Sequence, residues 1–545
     1  MLAELDMPRE AGVKHESDRA AVDFGVHDNG AVGSTERNPD GSGLRVDARG
    51  AGRRSGRGEK NSEGEHGGLD ERGPLTVARD AWFLYTPSAQ LRVSLARNVR
   101  LGIVMTHTTQ KWSLGFVAAF AAVALSACNS STPAPTDGGT TPSGGGTTEG
   151  GTTTSARPAP SKAPFTVKEG EVIRIGLVAS RQGELRPWGE DSSNGAALAM
   201  AELAADTADG DPNKLIIEGH EIQLVVQDSN SDPVQGKNAA EQLVNQGVIG
   251  LIGEVASGIT ATISDVAFSN SLPLVAVGAT RTDLSAKGSH FFRVCYTDAL
   301  QGPVMAKFAY EDLGLRKMAM FTDKAQPYST GLSESFSAKF KELGGEIVDE
   351  QFYQTKDTQF AGPIANTKAK NPDGIFLSGY FNEVGPLARQ IREAGMTTQP
   401  LLGGDGWDSD QLLTSGGDAI VGGYFCNHYN SLEDRPEVKT FLDAWKKKYN
   451  ANPGTTMGAL GYDSTKLMVD AVKRAIMEAK AANKPVDSMM VINALENTEN
   501  FPGVSGAITL KGRNGDPAKR ALVVEVTKEG QKFAKAFEAD AVMAK

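Results

Sequence analysis

The fold is decided by the stretch Val172-Ile-Arg-Ile-Gly-Leu-Val178, which is apolar except for one arginine. A short apolar run of this kind is typical of a strand buried on both faces of a sheet. The Ala- and Leu-rich segment 195–205 follows with helical spacing, and Glu221-Ile-Gln-Leu-Val-Val226 then alternates as a strand does. Strand, helix and strand in this order predict a βαβ unit with two parallel strands.

The same alternation continues along the chain and begins again after about residue 298. The next predicted elements are the helices 234–246 and 257–269 and the strands 248–252 and 274–277. In the second set the predicted strands are 317–321, 345–348, 374–377 and 401–402, and the helices 299–313, 329–343, 360–370 and 383–395. Helices at 434–449, 459–480 and 485–496 then precede two strands, 506–510 and 521–526, around the turn 512–516. We therefore expect an α/β fold with two lobes, each a doubly wound parallel sheet.

Length, charge and cysteine content restrict the number of lobes and the classes of partner and cofactor. The part with globular composition has about 370 residues, whereas one core stops growing at about 250–300 residues, so length also indicates two lobes. The formal net charge of −11 argues against nucleic acid or an anionic membrane surface as a partner. The three cysteines include no CxxC pair and the seven histidines no ligand spacing, so we expect no metal site and no cofactor.

A membrane-targeting signal precedes the globular part. An apolar run at 112–125 follows Lys111 and ends in Leu125-Ser-Ala-Cys128. A basic start, an apolar stretch and small residues form the layout of a secretory signal peptide, and the run is shorter than the ~20 residues of a spanning helix. The cysteine after the small residues resembles the bacterial lipobox, whose cysteine is lipidated. The alternative is an ordinary buried helix that ends in a buried cysteine.

The segments beside this signal lack the composition of a folded domain. Residues 129–160 are mostly Ser, Thr, Gly and Pro, which is typical of a flexible linker. Residues 1–104 show no sustained hydrophobic period. They are either a mis-called extension before a true start at Met105 or a disordered cytoplasmic arm. We predict a signal peptide at 105–127, lipidation of Cys128 and a tether at 128–170, so that the protein is exported and lipid-anchored on the extracytoplasmic side.

The loops after the predicted parallel strands are the expected binding site, because ligands of open α/β sheets bind beyond the carboxyl ends of the strands. Hydroxyls and helix N-terminal N–H groups bind a carboxylate, a carboxylate binds an ammonium, and aromatic rings cover the remainder. Groups of all these kinds occur in the loops, and together they predict a small zwitterionic ligand. The residues that supply them are Trp188, Ser257, Gly278-Ala-Thr280, Tyr328, Tyr380 and Asp405.

Over essentially all of 172–545 the chain resembles the type I periplasmic binding proteins, specifically the Leu/Ile/Val-binding (branched-chain amino acid) family of ABC importers. Each matching segment is weak alone, but their order and spacing are specific. They are 176–195, 227–233, Gly253-Glu-Val-Ala-Ser-Gly-Ile-Thr260, Val277-Gly-Ala-Thr280, 288–293, 323–331, Gly379-Tyr380, Gly403-Gly-Asp-Gly406 and Gly461-Tyr-Asp463. The resemblance implies two lobes joined by a hinge of several crossovers. Lobe 1 would comprise 172–296 and 425–504, and lobe 2 would comprise 297–424 and 505–545.

The resemblance also implies roles for the polar site residues. Ser257 and Thr280 would bind the ligand carboxylate. Gly278 would offer its carbonyl to the ammonium, with Ala279 beside it, and Asp405 would be the counter-charge of that ammonium. Two alternatives remain: Asp405 in a solvated turn, and Ser257 as a helix N-cap, a role compatible with anion binding.

Bulky residues would complete the site. Tyr328 and Tyr380 would close from lobe 2 and Trp188 would wall the side-chain pocket, although packing alone is the alternative for all three. The sequence departs from the family at three arginines near these loops, where relatives are usually neutral. If one of them reached the cleft, the ligand would be acidic or polar; otherwise they face solvent. The three are Arg181, Arg186 and Arg281.

The implied function is that of a substrate-binding lipoprotein of an ABC importer, which captures an amino acid or a related small polar solute by hinge closure. Its partners would be that solute, an ABC permease complex in the membrane and the lipid anchor, and we expect a monomer. A ligand-sensing receptor subunit is the alternative. An enzyme is the least favoured reading, because the chain has no Gly-x-Ser-x-Gly elbow, no phosphate loop and no metal set.

Two cysteines remain after Cys128. Cys295 and Cys426 fall where the resemblance places two crossovers, which run side by side in this family. They would form either a disulfide across the hinge or two buried free thiols.

Overall fold

The computed structural model describes residues 157–206 and 214–543, which belong to one structural unit of the chain. The predictions for 1–104, for the signal peptide at 105–127, for Cys128 and for the tether up to residue 156 lie outside these residues. Among the described helices, none combines the length and the hydropathy of a membrane span.

Strands and helices alternate through most of the described part, as the sequence predicts. The strands are β1 Thr166–Val167, β2 Ile173–Ala179, β3 Leu215–Ile217, β4 His220–Asp228, β5 Val248–Ile252, β6 Leu274–Ala276, β7 Phe291–Arg293, β8 Lys317–Asp323, β9 Glu346–Tyr353, β10 Gly374–Ser378, β11 Leu401–Gly403, β12 Tyr424–Asn427, β13 Val486–Asp487, β14 Ala521–Thr527 and β15 Gly530–Phe537. The helices are α1 Arg186–Ala205, α2 Pro233–Asn245, α3 Ser257–Ser269, α4 Asp298–Lys307, α5 Pro327–Glu342, α6 Ala361–Lys370, α7 Phe381–Glu393, α8 Asp410–Gly416, α9 Pro436–Tyr449, α10 Met457–Ala482, α11 Ser488–Glu496 and α12 Ala539–Met543. A π-helical turn, Phe308–Asp312, follows α4, and 3-10 turns lie at Thr282–Lys287, Asp405–Trp407 and Gly417–Ala419.

Each lobe is built on one sheet. The lobe 1 sheet has the order β3-β4-β2-β5-β6-β7, in which only the edge strand β3 is antiparallel to its neighbour. The lobe 2 sheet has the order β15-β14-β12-β11-β10-β8-β9, and β14 and β15 are its antiparallel members. The central strands are almost wholly buried, as expected for sheets covered by helices on both faces.

The chain passes between the lobes three times within 214–543. After β7 it enters lobe 2, after β12 it returns to lobe 1 for α9 to α11, and after α11 it enters lobe 2 again at β14. The expected lobe boundary at residue 425 lies inside β12, because Phe425 pairs with β11 and Cys426 with β14. The second passage therefore begins after Asn427. Cys295 and Cys426 are both buried free thiols, so there is no disulfide between them, and burial raises the pKa of Cys295 to about 12.

Of the two strands predicted near the C-terminus, 521–526 is present as β14, but the prediction of a strand at 506–510 was wrong. Residues 506–510 form no strand; Ile508 makes only an isolated bridge with Phe501. The partner of β14 is instead β15, joined to it by a tight turn at 528–529. Its alternation is hard to recognise, because β15 is an edge strand with an exposed Lys532 and a partly exposed Lys535. Such lysines keep an open sheet edge from pairing with other chains.

The packed part of the chain begins before the predicted first strand. Arg157 donates to the carbonyls of Gly288 at 3.1 Å and Phe291 at 2.8 Å. Thr166 and Val167 pair with β13 of lobe 1. The last residues of the predicted tether 128–170 are thus attached to lobe 1.

Glycines bring α10 close to α1 in lobe 1. A Cβ atom on Gly195 would lie 2.0 Å from the carbonyl oxygen of Gly458, and one on Gly461 would lie 2.2 Å from that of Ser192. Larger residues would separate the helices. This contact places the first turn of α10 beside the first turns of α1, at the cleft between the lobes.

Candidate functional site

The eight site residues predicted from the sequence lie where parallel strands of the two sheets end. All eight are buried. Carboxyl ends of parallel strands meet at one edge of a sheet, and the two edges face each other across the cleft. Lobe 1 supplies Trp188, Ser257, Gly278, Ala279 and Thr280, and lobe 2 supplies Tyr328, Tyr380 and Asp405.

Lobe 1 presents small hydroxyl groups. Ser257 is the first residue of α3; the N-cap is Ala256, so Ser257 is not the N-cap that the sequence left open. Its hydroxyl accepts from the backbone N–H of Arg281 at 3.3 Å. The hydroxyl of Thr280 accepts from the side-chain amide of Gln301 at 3.4 Å. Two hydroxyls beside a helix N-terminus can bind a carboxylate.

A buried glutamate holds the loop that carries Ser257. Glu254 accepts from the backbone N–H groups of Val255 at 2.8 Å and Ala256 at 2.9 Å. Its other oxygen accepts from the hydroxyls of Ser180 and Ser229. Burial raises the pKa of Glu254, and these hydrogen bonds oppose the shift. Its interactions fix the turn between β5 and α3, so we assign it a structural role.

Lobe 2 presents aromatic rings. Tyr328 and Tyr380 stack with their centroids 5.2 Å apart, and Trp188 of lobe 1 meets Tyr380 edge-on at 5.0 Å. The hydroxyl of Tyr328 accepts from the N–H of Gly406 at 3.0 Å, whereas that of Tyr380 is buried without a hydrogen-bond partner. Burial and nearby carboxylates raise the pKa of both tyrosines, so both are neutral at physiological pH. Packing alone explains Tyr328, but it leaves the Tyr380 hydroxyl unsatisfied.

Asp405 has buried partners of its own and is not in a solvated turn. One carboxylate oxygen lies 2.9 Å from Nε2 of His428, and the other accepts from the amide of Gln301 at 3.1 Å. His428 follows β12 directly and stacks on Tyr296 at 4.1 Å. Two fixed donors orient the carboxylate, and each oxygen keeps a lone pair with which it can accept from a ligand.

Gln301 connects Asp405 to a second buried carboxylate. Its amide nitrogen lies 2.6 Å from one oxygen of Asp298, one turn earlier in α4, and the other oxygen of Asp298 is buried without a partner. Burial, together with the charge of Asp405, raises the pKa of Asp298 to about 7. The lobe 2 face therefore carries two buried carboxyl groups that contact one amide nitrogen. Within 157–206 and 214–543, this cluster included, no group of three His, Cys, Asp or Glu side chains is arranged to hold a metal ion.

The three arginines that depart from the family pattern do not enter the cleft. Arg281 pairs with Asp283 at 2.7 Å and Arg186 with Glu190 at 3.4 Å, in both cases with partly exposed side chains. Arg181 is exposed. No arginine side chain of this set can offset the charge of Asp405.

The lobes are in contact in this structure. The indole N–H of Trp188 donates to the carbonyl of Asp408 at 2.7 Å, and Glu184 of lobe 1 pairs with Lys356 of lobe 2 at 3.4 Å. The cleft is therefore closed, and Trp188 serves as a contact between the lobes.

A profile of the periplasmic binding protein family matches residues 172–531 of this two-lobed chain. The chain belongs to this family. The resemblance to type I periplasmic binding proteins and the doubly wound two-lobed fold are thereby confirmed, as is the function of an ABC importer's substrate-binding protein.

Its relatives include binding proteins for branched-chain amino acids. The Leu/Ile/Val-binding protein BraC3 of Rhizobium johnstonii is 29% identical over 345 residues, which cover 63% of this chain and 88% of that protein. The leucine-binding protein LivK from Thermotoga maritima, whose crystal structure is known, is 32% identical in sequence. The two structures align with a TM-score of 0.62 over 68% of this chain and 99% of the LivK chain. LivJ from Streptococcus pneumoniae, solved in complex with isoleucine, is 29% identical with a TM-score of 0.60, at 67% and 99% coverage.

Sequence reasoning missed three residues that the structure adds to the candidate site through their contacts, namely Asp298, Gln301 and His428. A usable signal existed for each. His428 directly follows an apolar strand, as the predicted site residues do, but that strand was interpreted as a crossover. Asp298 and Gln301 are three residues apart at the start of α4, where both side chains lie on one face.

Proposed function

We propose that this periplasmic binding protein captures an amino acid between its lobes and delivers it to an ABC permease in the membrane. The observation that carries the proposal is that one amide nitrogen, that of Gln301, contacts both Asp405 at 3.1 Å and Thr280 at 3.4 Å. The proposed ammonium site and the proposed carboxylate site are therefore neighbours. An α-amino acid carries these two charges on one carbon atom.

Charge favours an ammonium over an anionic solute. Asp405 and Asp298 are both buried, and within 157–206 and 214–543 neither pairs with a lysine or an arginine. A solute that brought only negative charge would add repulsion in a site from which water is excluded, whereas an ammonium offsets the charge of Asp405. Ser257 and Thr280 would then bind the carboxylate, and the carbonyl of Gly278 would share the ammonium.

The rest of the site suits an apolar side chain. Trp188, Tyr328 and Tyr380 form an aromatic wall, and the three unusual arginines lie outside the cleft. The reason to expect an acidic side chain is therefore gone. The relatives named for leucine, isoleucine and valine support the same choice, and we propose a branched aliphatic amino acid as the solute.

The test is a titration with matched compounds in a calorimeter. L-leucine is compared with 4-methylpentanoic acid, which lacks the ammonium, and with L-leucinamide, which lacks the carboxylate. We expect leucine to bind and each analogue to lose at least a hundredfold in affinity, because each leaves a buried polar group unpaired. Equal binding of the deaminated acid would contradict the role of Asp405 and the amino acid assignment.

Attachment to the membrane is a second part of the proposal. The family acts outside the cytoplasm, and we propose that Cys128 carries a lipid there, after removal of the signal peptide at 105–127. Because the net charge is −11, binding to an anionic membrane surface would depend on the lipid. We further infer a monomer with no enzymatic activity.

Replacing the cysteine tests the anchor. Cys128→Ser is expected to move the protein from the membrane pellet to the soluble fraction, whereas Cys295→Ser, which alters a buried thiol, should leave it in the pellet. Fractionation of the native host, with a salt wash, provides the measurement. A Cys128→Ser protein that still pellets with membranes would contradict lipidation at this residue.

A further inference from the structure

Two consecutive threonines at the start of α10 make the same kind of contact with two different carboxylates. Thr455 donates its backbone N–H and its hydroxyl to one oxygen of Asp191, at 2.6 and 2.9 Å. Thr456 donates the same two groups to one oxygen of Asp408, at 2.6 and 2.7 Å. The chemistry of the two pairs is alike, but their positions in the fold are not.

The pair with Asp191 lies within lobe 1, because Asp191 belongs to α1, which packs against α10. The pair with Asp408 crosses the cleft, because Asp408 follows β11 of lobe 2. The backbone carbonyl of Asp408 also accepts from the indole N–H of Trp188 in α1. Asp408 thus contacts lobe 1 through two of its helices.

The second oxygen of the Asp408 carboxylate is bound by side chains of its own lobe, lobe 2. This oxygen accepts from the amides of Gln531 at 2.6 Å and Asn427 at 3.3 Å. The residue is fully buried. Hinge opening moves α10 away from β11, so the two donors of Thr456 would have to leave a carboxylate that remains fixed to lobe 2. Hydrogen bonds to a charged acceptor are among the stronger ones in proteins.

We propose that Asp408, with Thr456 and Trp188, is a closure latch: it holds the lobes together and thereby sets the affinity for the solute without being one of its ligands. The apparent affinity of a protein that binds in a closed state depends on the population of that state. Weakening the latch lowers this population, and because affinity changes act mostly on dissociation, the solute leaves faster. Asp408 is therefore a positioning residue.

The two threonine pairs provide a matched test. Asp408→Asn and Asp191→Asn remove the same charge from the same kind of contact, once between the lobes and once within lobe 1. Dyes are attached at Lys237→Cys in lobe 1 and Lys341→Cys in lobe 2, both exposed, in the full chain carrying Cys128→Ser. Single-molecule energy transfer then measures the closed fraction without solute and with saturating L-leucine, and stopped-flow measures its release.

We expect Asp408→Asn to lower the closed fraction and to weaken leucine binding roughly tenfold to hundredfold through faster release. Asp191→Asn should leave the closed fraction and the leucine affinity within about twofold of the wild type, while it lowers the melting temperature. An unchanged closed fraction in Asp408→Asn, or an equal shift in Asp191→Asn, would overturn the latch.

A milder pair of variants keeps the test valid if Asp408→Asn fails to fold. Thr456→Val and Thr455→Val each remove one hydroxyl and keep the backbone N–H, and the same asymmetry is expected between them. The affinity measurement rests on the proposed function, but the solute-free closed fraction does not. If leucine did not bind, the amino acid assignment would be wrong. The closed fraction measured without solute would still show whether Asp408 holds the lobes together.

Discussion

The two faces of the cleft differ in the chemistry that they offer. Lobe 1 presents neutral groups, the hydroxyls of Ser257 and Thr280 and the backbone around Gly278. Lobe 2 presents a carboxylate at Asp405 and the ring of Tyr380. Neutral donors can exchange water for a solute carboxylate at little cost, whereas a buried charge is stable only when it is paired. We propose from this comparison that a solute docks first on lobe 1 and that its ammonium drives closure by pairing with lobe 2.

Removing the charge of lobe 2 should have the largest effect. We expect Asp405→Ala to weaken amino acid binding by about 3–5 kcal/mol, because the buried ammonium loses its counter-charge. Titration calorimetry measures the affinity and circular dichroism checks the fold. Asp410→Ala, an exposed acidic residue five positions later, is the control and should bind normally. Unchanged affinity in Asp405→Ala would show that the two faces do not differ in the proposed way.

Removing a hydroxyl of lobe 1 should cost less. Ser257→Ala is expected to weaken binding by about 2 kcal/mol, the usual loss for a hydrogen bond to a charged group. Because lobe 1 is proposed to dock the solute first, the association rate should fall as well. Ser269→Ala, at the exposed far end of α3, controls for changes in the helix itself. A loss as large as that of Asp405→Ala would contradict the comparison.

The acidic side of the cleft should also respond to pH. Asp298 has a pKa of about 7 in the folded protein against 3.8 ordinarily, so between these values the folded state binds a proton that the unfolded chain releases. Raising the pH through this window therefore lowers the free energy of unfolding, by at most about 1.4 kcal/mol per pH unit for one group. Urea unfolding at pH values from about 4 to 8 measures how steeply the free energy of unfolding falls as the pH rises.

The variant Asp298→Asn isolates this contribution. It should flatten the slope relative to the wild type, whereas Glu383→Gln, which removes another carboxyl with a pKa of about 7, should flatten it independently. If Asp298→Asn left the pH dependence of the free energy of unfolding unchanged, the raised pKa of Asp298 would be contradicted.

The smallest expected effect concerns one hydroxyl. Tyr380→Phe removes a buried group without a partner, so the melting temperature should stay the same or rise slightly. Affinity should fall by about 0.5–1.5 kcal/mol if the hydroxyl binds the solute. Tyr328→Phe is the counterpart, since its hydroxyl accepts from Gly406, and it should lower the melting temperature instead. Equal melting losses in the two variants would indicate that both rings only pack.

Much of the lobe 1 face could be predicted from the sequence, and less of the lobe 2 face. Ser257 and Thr280 stand in short segments directly after strands whose pattern is unmistakable, and they lie at the cleft. Asp405 was found in the same way, but its partners were not. Its contacts with Gln301 and His428 join residues 104 and 23 positions apart, in helices and strands that local patterns do not relate to one another.

By itself, the sequence determined the order of strands and helices, the division into two lobes and the loops that hold the candidate site. Periodicity and turn composition are local, and they specify local structure. The tertiary structure alone decided that β15 and not 506–510 pairs with β14, that Asp405 is paired with His428, and that Thr456 meets Asp408 across the cleft. These contacts depend on how the lobes pack, and packing arises from the whole chain, not from any one segment.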